Sequence, residues 1–487
     1  MLKYKFNTDE IIPKNTKGGD TVAEGKTKKR SQPAFKQVTV MIFITLFQML
    51  SSACVLYRDE QMSFTLVCVF MGYIVVEWLY MMIGTIATGT DYFELEAMAF
   101  FLCGIGITVC ASFNESYAVK QLAAVLMGIA GYLILQVILK NIDLCQKVRL
   151  PVAVISIVIL VANLFLAKTT NGTLNWIDFG LFSIQPSEFV KVAFIFVGAV
   201  TLEYLISNTS LTKYIIFSVA CIGLLFLMQD FGTALIFFFT FILIAFMRSG
   251  DVRTLALIVT VALLGAVLII YFKPYIANRF QAYRHVWQYA DTTGYQQVRT
   301  LAYMASGGLL GLGIGEGMLR NVYAASTDLV FGLVCEEMGL IVGLCMLACF
   351  VGFALFAVRS VRQSGSSFYA IAACAAAGML LFQLSLNVFG ITDILPLTGV
   401  TLPFVSRGGS SMICSWGLLA YIRTAGVQFN PPEPIASIPV SNAGRKRAVR
   451  MQNGDIPVSK KAVSRPAQSA RTAQKTTQKT TQRTAKK

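Results

Sequence analysis

Three carboxylates stand close together in TDLVFGLVCEEMGLI, residues 327–341: Asp328, then Glu336 and Glu337 eight and nine positions further on. An ionised carboxylate at the centre of a membrane helix costs about 2.5 to 3.5 kcal/mol on insertion scales, so three in one apolar run need a use. A carboxylate within hydrogen-bond reach of a hydroxyl is a general base, and partial burial of such a group favours proton uptake near neutrality. Asp328 suits that role because it falls where a long glycine-rich loop enters the apolar run. From the residues alone, a simple helix N-cap in STDLVF suits it equally. At 100° per residue along the helix, Glu336 lies roughly 80° round from Asp328 and roughly 12 Å deeper, and Glu337 roughly 180° round. Glu336 is then expected to share a cavity with Asp328, and Glu337 to face a neighbouring helix.

Other polar groups punctuate apolar sequence at four places. In QPSEFVK, residues 185–191, Pro186 is a first-turn proline, Ser187 a candidate cap, and Glu188 and Lys191 share a helix face as an inward ion pair. QDFGTA at 229–234 turns the chain with Asp230 at its apex. Arg407, Gly408, Gly409, Ser410 and Ser411 open the last apolar helix, where free N–H groups make an anion site and small side chains permit close packing. Loop residues Arg279, Arg284, Arg299 and Arg320 are further candidate anion holders, while His285 reads as a plain loop residue. Gly307, Gly308, Gly311, Gly313 and Gly315 suit either a loop folding over a ligand or a tight turn.

The elements that position these groups follow from composition. With 55% hydrophobic and 14% charged residues among 487, the chain is too apolar for a soluble protein and too long for a single span. Apolar stretches recur at about 36–57, 63–82, 93–111, 118–139, 150–167, 186–206, 212–228, 231–247, 254–272, 328–358, 368–391 and 403–422, which makes twelve spans. The net charge of +16 gathers in the termini and the short loops of one side, so it marks membrane orientation rather than nucleic-acid binding. Lys140, Lys147, Arg149, Lys213, Arg248, Arg253, Arg359 and Arg362 all fall on the side of the termini, and only Arg58 and Lys168 dissent. Both ends are therefore expected in the cytoplasm and the loop 273–327 outside. Residues 1–35 and 428–487 read as disordered basic segments, the tail suiting contact with anionic lipid or a cytoplasmic partner. The eleven cysteines, with no CxxC or Cys/His grouping, read as reduced packing residues.

Taken in order, NG..NWI and QPSEFVK (171–191), DFGTA (230–234), GYQQ with SGGLLGLGIGEG (294–317), TDLVFGLVCEEMGLI (327–341) and LPLTGVTLPFVSRGGSS (395–411) resemble the SEDS family of bacterial cell-wall polymerases, the group of FtsW, RodA and SpoVE. The resemblance covers residues 93 to about 425. It implies an all-α polytopic membrane protein with a ten-helix core (92–427), preceded by two added transmembrane helices (36–91). It also implies a glycosyltransferase that joins lipid II disaccharides at the outer face of the membrane and releases polyprenyl pyrophosphate. Asp328 becomes the expected base. Trp176, Glu188, Lys191, Arg279, Gln296, Glu336 and the run Ser406, Arg407, Gly408, Gly409, Ser410 and Ser411 become expected substrate contacts. The leaving charge calls for cations, donors or a divalent metal such as Mg2+ or Mn2+, and the expected partner is a class B penicillin-binding protein. Departures from the family pattern fall at Leu174 and Asn175, at Gln229 in place of proline, at Ala324 and Ser326 in place of an acid and a histidine, and at Arg407 in place of tyrosine. A lipid II flippase and a non-catalytic scaffold that activates its partner are the alternative readings.

Overall fold

The computed structural model describes residues 35–58, 63–88, 93–170, 173–178, 183–203, 208–249, 282–364 and 366–427, with a few single positions between them. Segment 1–34, most of the expected ninth span, Arg279 and the tail from 428 lie outside the described residues. Apolar runs become helices because a helix satisfies its own backbone in lipid. In order these are α1 (Phe35–Arg58), α2 (Phe64–Thr88), α3 (Glu94–Phe113), α4 (Glu115–Leu139), α5 (Ile142–Leu166), α6 (Pro186–Glu203), α7 (Asn208–Leu227) and α8 (Phe231–Ser249). After the segment outside the described residues come α9 (Tyr295–Gly307), α10 (Val330–Glu337), α11 (Leu340–Gln363), α12 (Ser367–Ile391) and α13 (Gly409–Val427). Among the described residues eight helices are long and apolar enough to cross a membrane: α1, α2, α3, α4, α5, α8, α11 and α12. Polar caps set several boundaries. Asn114 accepts from the Ser116 amide at 2.8 Å to start α4, and Asn141 from the Leu144 amide at 3.0 Å to start α5.

α13 sits at the centre, packed on α4, α6, α11 and α12. Its buried Trp416 lies edge-on to Phe100 and Tyr132, with ring centroids 5.2 and 5.5 Å away. Gly128 on α4 makes the room, since a Cβ there would stand 2.6 Å from the indole. Near the other end of α13, Arg423 pairs with buried Glu96 at 3.2 Å, and the Tyr132 hydroxyl donates to the same carboxylate oxygen. α3 is buried along most of its length, whereas α5 exposes Leu150, Val154, Ile155, Val158 and Phe165, as a lipid-facing helix does.

Two expectations need correction. The single helix expected over 328–358 is two helices: α10 ends at Glu337, Gly339 takes φ +90°, and α11 begins at Leu340. The first amides of α11, on Leu340 and Ile341, donate to the carbonyls of Gly308 and Leu309 at 3.0 and 3.3 Å, so the glycine loop caps the new helix. The chain is also not wholly helical. Between α5 and α6 runs a three-stranded antiparallel sheet of β1 (Lys168–Thr170), β2 (Thr173–Asp178) and β3 (Ser183–Ile184), with Lys168 opposite Trp176 and Ile177 opposite Ile184.

Candidate active site

The motifs meet where α6, α8 and α13 begin and α12 ends. Asp328 precedes α10 by two positions and is half-buried, with Leu329 rather than Asp328 in the capping position. Its carboxylate faces Gly399, whose Cβ position would lie 3.4 Å from Oδ2. The backbone that carries it is held one residue at a time. The Ser326 carbonyl accepts from the Arg407 amide at 2.8 Å, and the Thr327 carbonyl from the Ser406 hydroxyl at 2.5 Å. The Asp328 carbonyl accepts from Asn387 Nδ2 at 2.8 Å, and the same nitrogen donates to the Val400 carbonyl at 2.8 Å. Three consecutive carbonyls thus find donors on two other segments, which fixes where the carboxylate stands.

The SRGGSS turn is in turn tied to the rest. Ser406 Oγ accepts from the Leu402 amide at 2.8 Å, and the Ser406 carbonyl from Gln121 Nε2 of α4 at 3.2 Å. Ser410 Oγ accepts from the Gln185 amide at 3.3 Å, and Ser411 Oγ shares a hydrogen bond with Thr401 Oγ1 at 2.9 Å. Gly408 and Gly409 complete the turn on the open side of α13. The half-buried Arg407 guanidinium lies over the Tyr117 ring, 4.1 Å from its centroid, which holds a cation beside the segment that carries Asp328. Asp230 is more than a turn residue. Its Oδ1 accepts from the Thr233 amide at 3.1 Å, capping α8, and its Oδ2 accepts from Gln185 Nε2 at 3.2 Å and Asn175 Nδ2 at 3.4 Å. One aspartate therefore joins the β2 strand, with its half-buried Trp176, to the starts of α6 and α8.

Glu188 and Lys191 form the expected inward pair, with Nζ to Oε1 at 2.7 Å and exposures of only 4% and 1%. Ser187 does not cap α6: the helix already starts at Pro186, and the buried Ser187 oxygen receives no amide hydrogen bond. Glu336 departs from the place expected of it. It is fully buried, and its two oxygens accept from the amides of Met318 and Leu319 at 2.7 and 2.9 Å, so it clasps the glycine loop instead of sharing a cavity with Asp328. The 100° rule misplaced it because it took no account of a loop folding back over the helix. Glu337, just ahead of the span that begins at Leu340, is also wrapped by the loop. Neither of its oxygens meets a well-aligned donor. Burial pushes its pKa up to about 7, only partly offset by the nearby Gly315 amide and Arg320. Gln296 Nε2 donates to the Tyr323 carbonyl at 3.0 Å and so ties α9 to the stretch before Asp328. Among the described residues no three His, Cys, Asp or Glu side chains are grouped to hold a metal.

Backbone strain gathers at the same place. Gln229, Ala324 and Phe404 all take φ between +61° and +65°, each within four residues of Asp230, Asp328 or Ser406. The positive φ at Gln229 is one that proline, locked near about −65°, does not take. Asn387, Gln121, Gln185 and Thr401 were not singled out by sequence. Their signals were a polar side chain at the edge of, or within, an apolar run and, for Gln185 and Thr401, a place inside a quoted motif.

Apolar helices bundled around hydrogen-bonded polar groups define a multi-pass membrane protein. A family model described as Cell cycle protein, covering FtsW, RodA and SpoVE, matches residues 101–428, and the chain belongs to that family. The probable peptidoglycan glycosyltransferase FtsW of Buchnera aphidicola is 32% identical over 272 residues, 54% of this chain and 68% of the relative. The peptidoglycan glycosyltransferase RodA of Mycobacterium leprae is 27% identical over 342 residues, 67% of this chain and 73% of the relative. A solved peptidoglycan synthase complex, described as coordinating polymerization and crosslinking, matches with a TM-score of 0.58 at 22% identity, over 69% of this chain and 98% of that chain. The crystal structure of the Thermus thermophilus rod shape determining protein RodA matches at 0.52 and 20% identity, over 69% and 98%. At those identities the likeness to solved structures carries the fold.

Proposed function

We infer that this chain is a peptidoglycan glycosyltransferase that polymerises lipid II into glycan strands, with Asp328 as its base. The observation that carries the assignment of Asp328 is the three-carbonyl clamp on residues 326–328, which presents one half-buried carboxylate on a segment hydrogen-bonded to the Arg407 backbone. In the reaction the acceptor sugar hydroxyl gives its proton to Asp328 as its oxygen attacks the anomeric carbon. A new glycosidic bond forms, and the bond from that carbon to the diphosphate oxygen breaks. The diphosphate leaves as an anion, so the site needs positive charge where that anion grows. Arg407 and the free amides opening α13 are placed for that, with Lys191 held in reserve by Glu188. A divalent cation such as Mg2+ or Mn2+ belongs to the proposal as further counter-charge for the diphosphate, and the roles given above are those of the chain's own groups.

The twelve-span arrangement, with both termini cytoplasmic and the site facing outside, belongs to this proposal. Its support is the basic loops on one side together with the short connections between α3 and α4, α4 and α5, and α11 and α12. A class B penicillin-binding protein is the proposed partner, in keeping with the synthase complex to which the fold is similar. The test is lipid II polymerisation by the purified full chain in lipid, alone and with that partner. Asp328→Asn, at unchanged abundance, is expected to yield no glycan, and undiminished product would remove Asp328 as the base. Labelled lipid II crossing sealed vesicles without polymer would favour a flippase. Intact wall synthesis in cells carrying only Asp328→Asn would favour a scaffold.

A further inference from the structure

The two helices that precede the family match are built into the bundle. Gln48 of α1 donates to Glu77 of α2 at 2.9 Å, and Trp78 Nε1 donates to Thr45 at 3.0 Å. The Tyr73 hydroxyl donates to the Phe100 carbonyl of α3 at 2.5 Å, while Phe47 packs on Phe101 and Tyr80 on Phe100, with centroids 5.3 and 5.4 Å apart. Hydrogen bonds between helices in lipid, added to this packing, leave α1 little freedom to slide. Its last residue, Arg58, is therefore delivered to a set place.

That place is the glycine loop. Arg58 Nε lies 3.6 Å from Glu316 Oε1, and Nη1 donates to the Ser112 carbonyl at the end of α3 at 3.3 Å. Gly315 admits the approach, since a Cβ there would stand 3.0 Å from Arg58 Cδ and closer still to its guanidinium. Arg320 completes the arrangement from inside the loop. It donates to the same Ser112 carbonyl at 2.7 Å and to the Gly315 carbonyl, with its guanidinium 5.4 Å from the centre of the Phe113 ring. Behind these two arginines, the amides of Leu312 and Gly313 hold the carbonyls of Glu336 and Glu337 at 2.9 and 3.0 Å, and those of Met318 and Leu319 hold the Glu336 carboxylate. All four contacts are on α10, which begins two residues after Asp328. Arg58 was one of two basic residues that broke the charge asymmetry of the loops, and the contact gives it a use on that side.

We propose that the α1–α2 hairpin is an intrachain brace for the loop 311–320, and that Arg58 is a positioning residue acting on Asp328 through that loop and α10. Its catalytic consequence rests on the glycosyltransferase reading; the brace itself does not. The experiment is hydrogen exchange on the full chain in lipid nanodiscs, with lipid II polymerisation measured on the same preparations. Arg58→Ala is expected to speed exchange of the 311–320 amides about threefold to tenfold while α3 and α12 stay as they are. It is also expected to lower kcat with KM within about twofold of the unmodified chain. Arg58→Glu combined with Glu316→Arg is expected to restore both toward the starting values, where either change alone does not. Should Arg58→Ala fail to accumulate, Glu316→Ala carries the same exchange test. Loop exchange at the unmodified rate would overturn the brace, and faster exchange at unchanged kcat would overturn the positioning role. If exchange responds while even the unmodified chain makes no glycan, the brace stands and the enzymatic reading falls.

Discussion

Asn387 offers the sharpest check on how the site is held. It is 2% exposed, and its single amide nitrogen donates to two carbonyls, those of Asp328 and Val400, both at 2.8 Å. Asn387→Leu keeps the volume and removes both donors. Each orphaned buried carbonyl costs about 1 to 3 kcal/mol, so the local penalty is roughly 2 to 6 kcal/mol, enough for the 398–400 and 326–328 segments to part or turn toward water. A shift of about 1 Å in a reacting group costs on the order of a hundredfold in rate. The expected result is therefore polymerisation slowed about a hundredfold, with the chain still inserted and abundant, because most of the rest of α12 is apolar and packed. Asn387→Asp should be at least as damaging, since it sets a carboxylate oxygen against two carbonyl oxygens. The assay is the initial rate of glycan formation from lipid II, with abundance and thermal unfolding followed in parallel. Polymerisation within about twofold of normal in Asn387→Leu would show that the carbonyl clamp does not set the position of the base.

Lys191→Met leaves Glu188 buried without its partner and should cost about 3 to 5 kcal/mol, read as a lower unfolding midpoint. The double change Glu188→Leu with Lys191→Met should recover most of that stability but not polymerisation; recovered activity would make the pair structural only. Glu337 predicts a pH effect whose sign follows from its raised folded-state pKa of about 7. The folded form holds the proton longer than the unfolded chain does. Stability is then fullest below the ordinary carboxylate range and is lost as pH rises through about 7, by about 3 kcal/mol at most. Glu337→Gln should flatten that fall, and an unchanged pH profile of unfolding would show that another group carries it.

Much of this was legible because lipid imposes simple rules. Apolar length and loop charge marked most of the described helices, and the motif order marked the family before any contact was known. Asp328, Ser406 and Arg407 could be named from motifs alone. What sequence could not supply was the partner of each group. Glu336 was placed by helical angle toward Asp328, yet its oxygens belong to a loop that periodicity does not describe. Asp230 read as a turn aspartate because its other contacts, Asn175 and Gln185, lie 55 and 45 residues away. Gly339 lies inside the run expected to be one helix, and its positive φ marks the break.

The clamp on residues 326–328 also fixes when the molecule becomes competent. The loop and α10 can assemble soon after they are made, since Met318 and Glu336 are only 18 residues apart. The donors from Asn387 and Ser406 come 59 and 79 residues after the carbonyls they serve. During synthesis from the N-terminus those donors arrive with the last two membrane helices. A nascent or truncated chain ending before Ser406 therefore carries the acidic group without its final support.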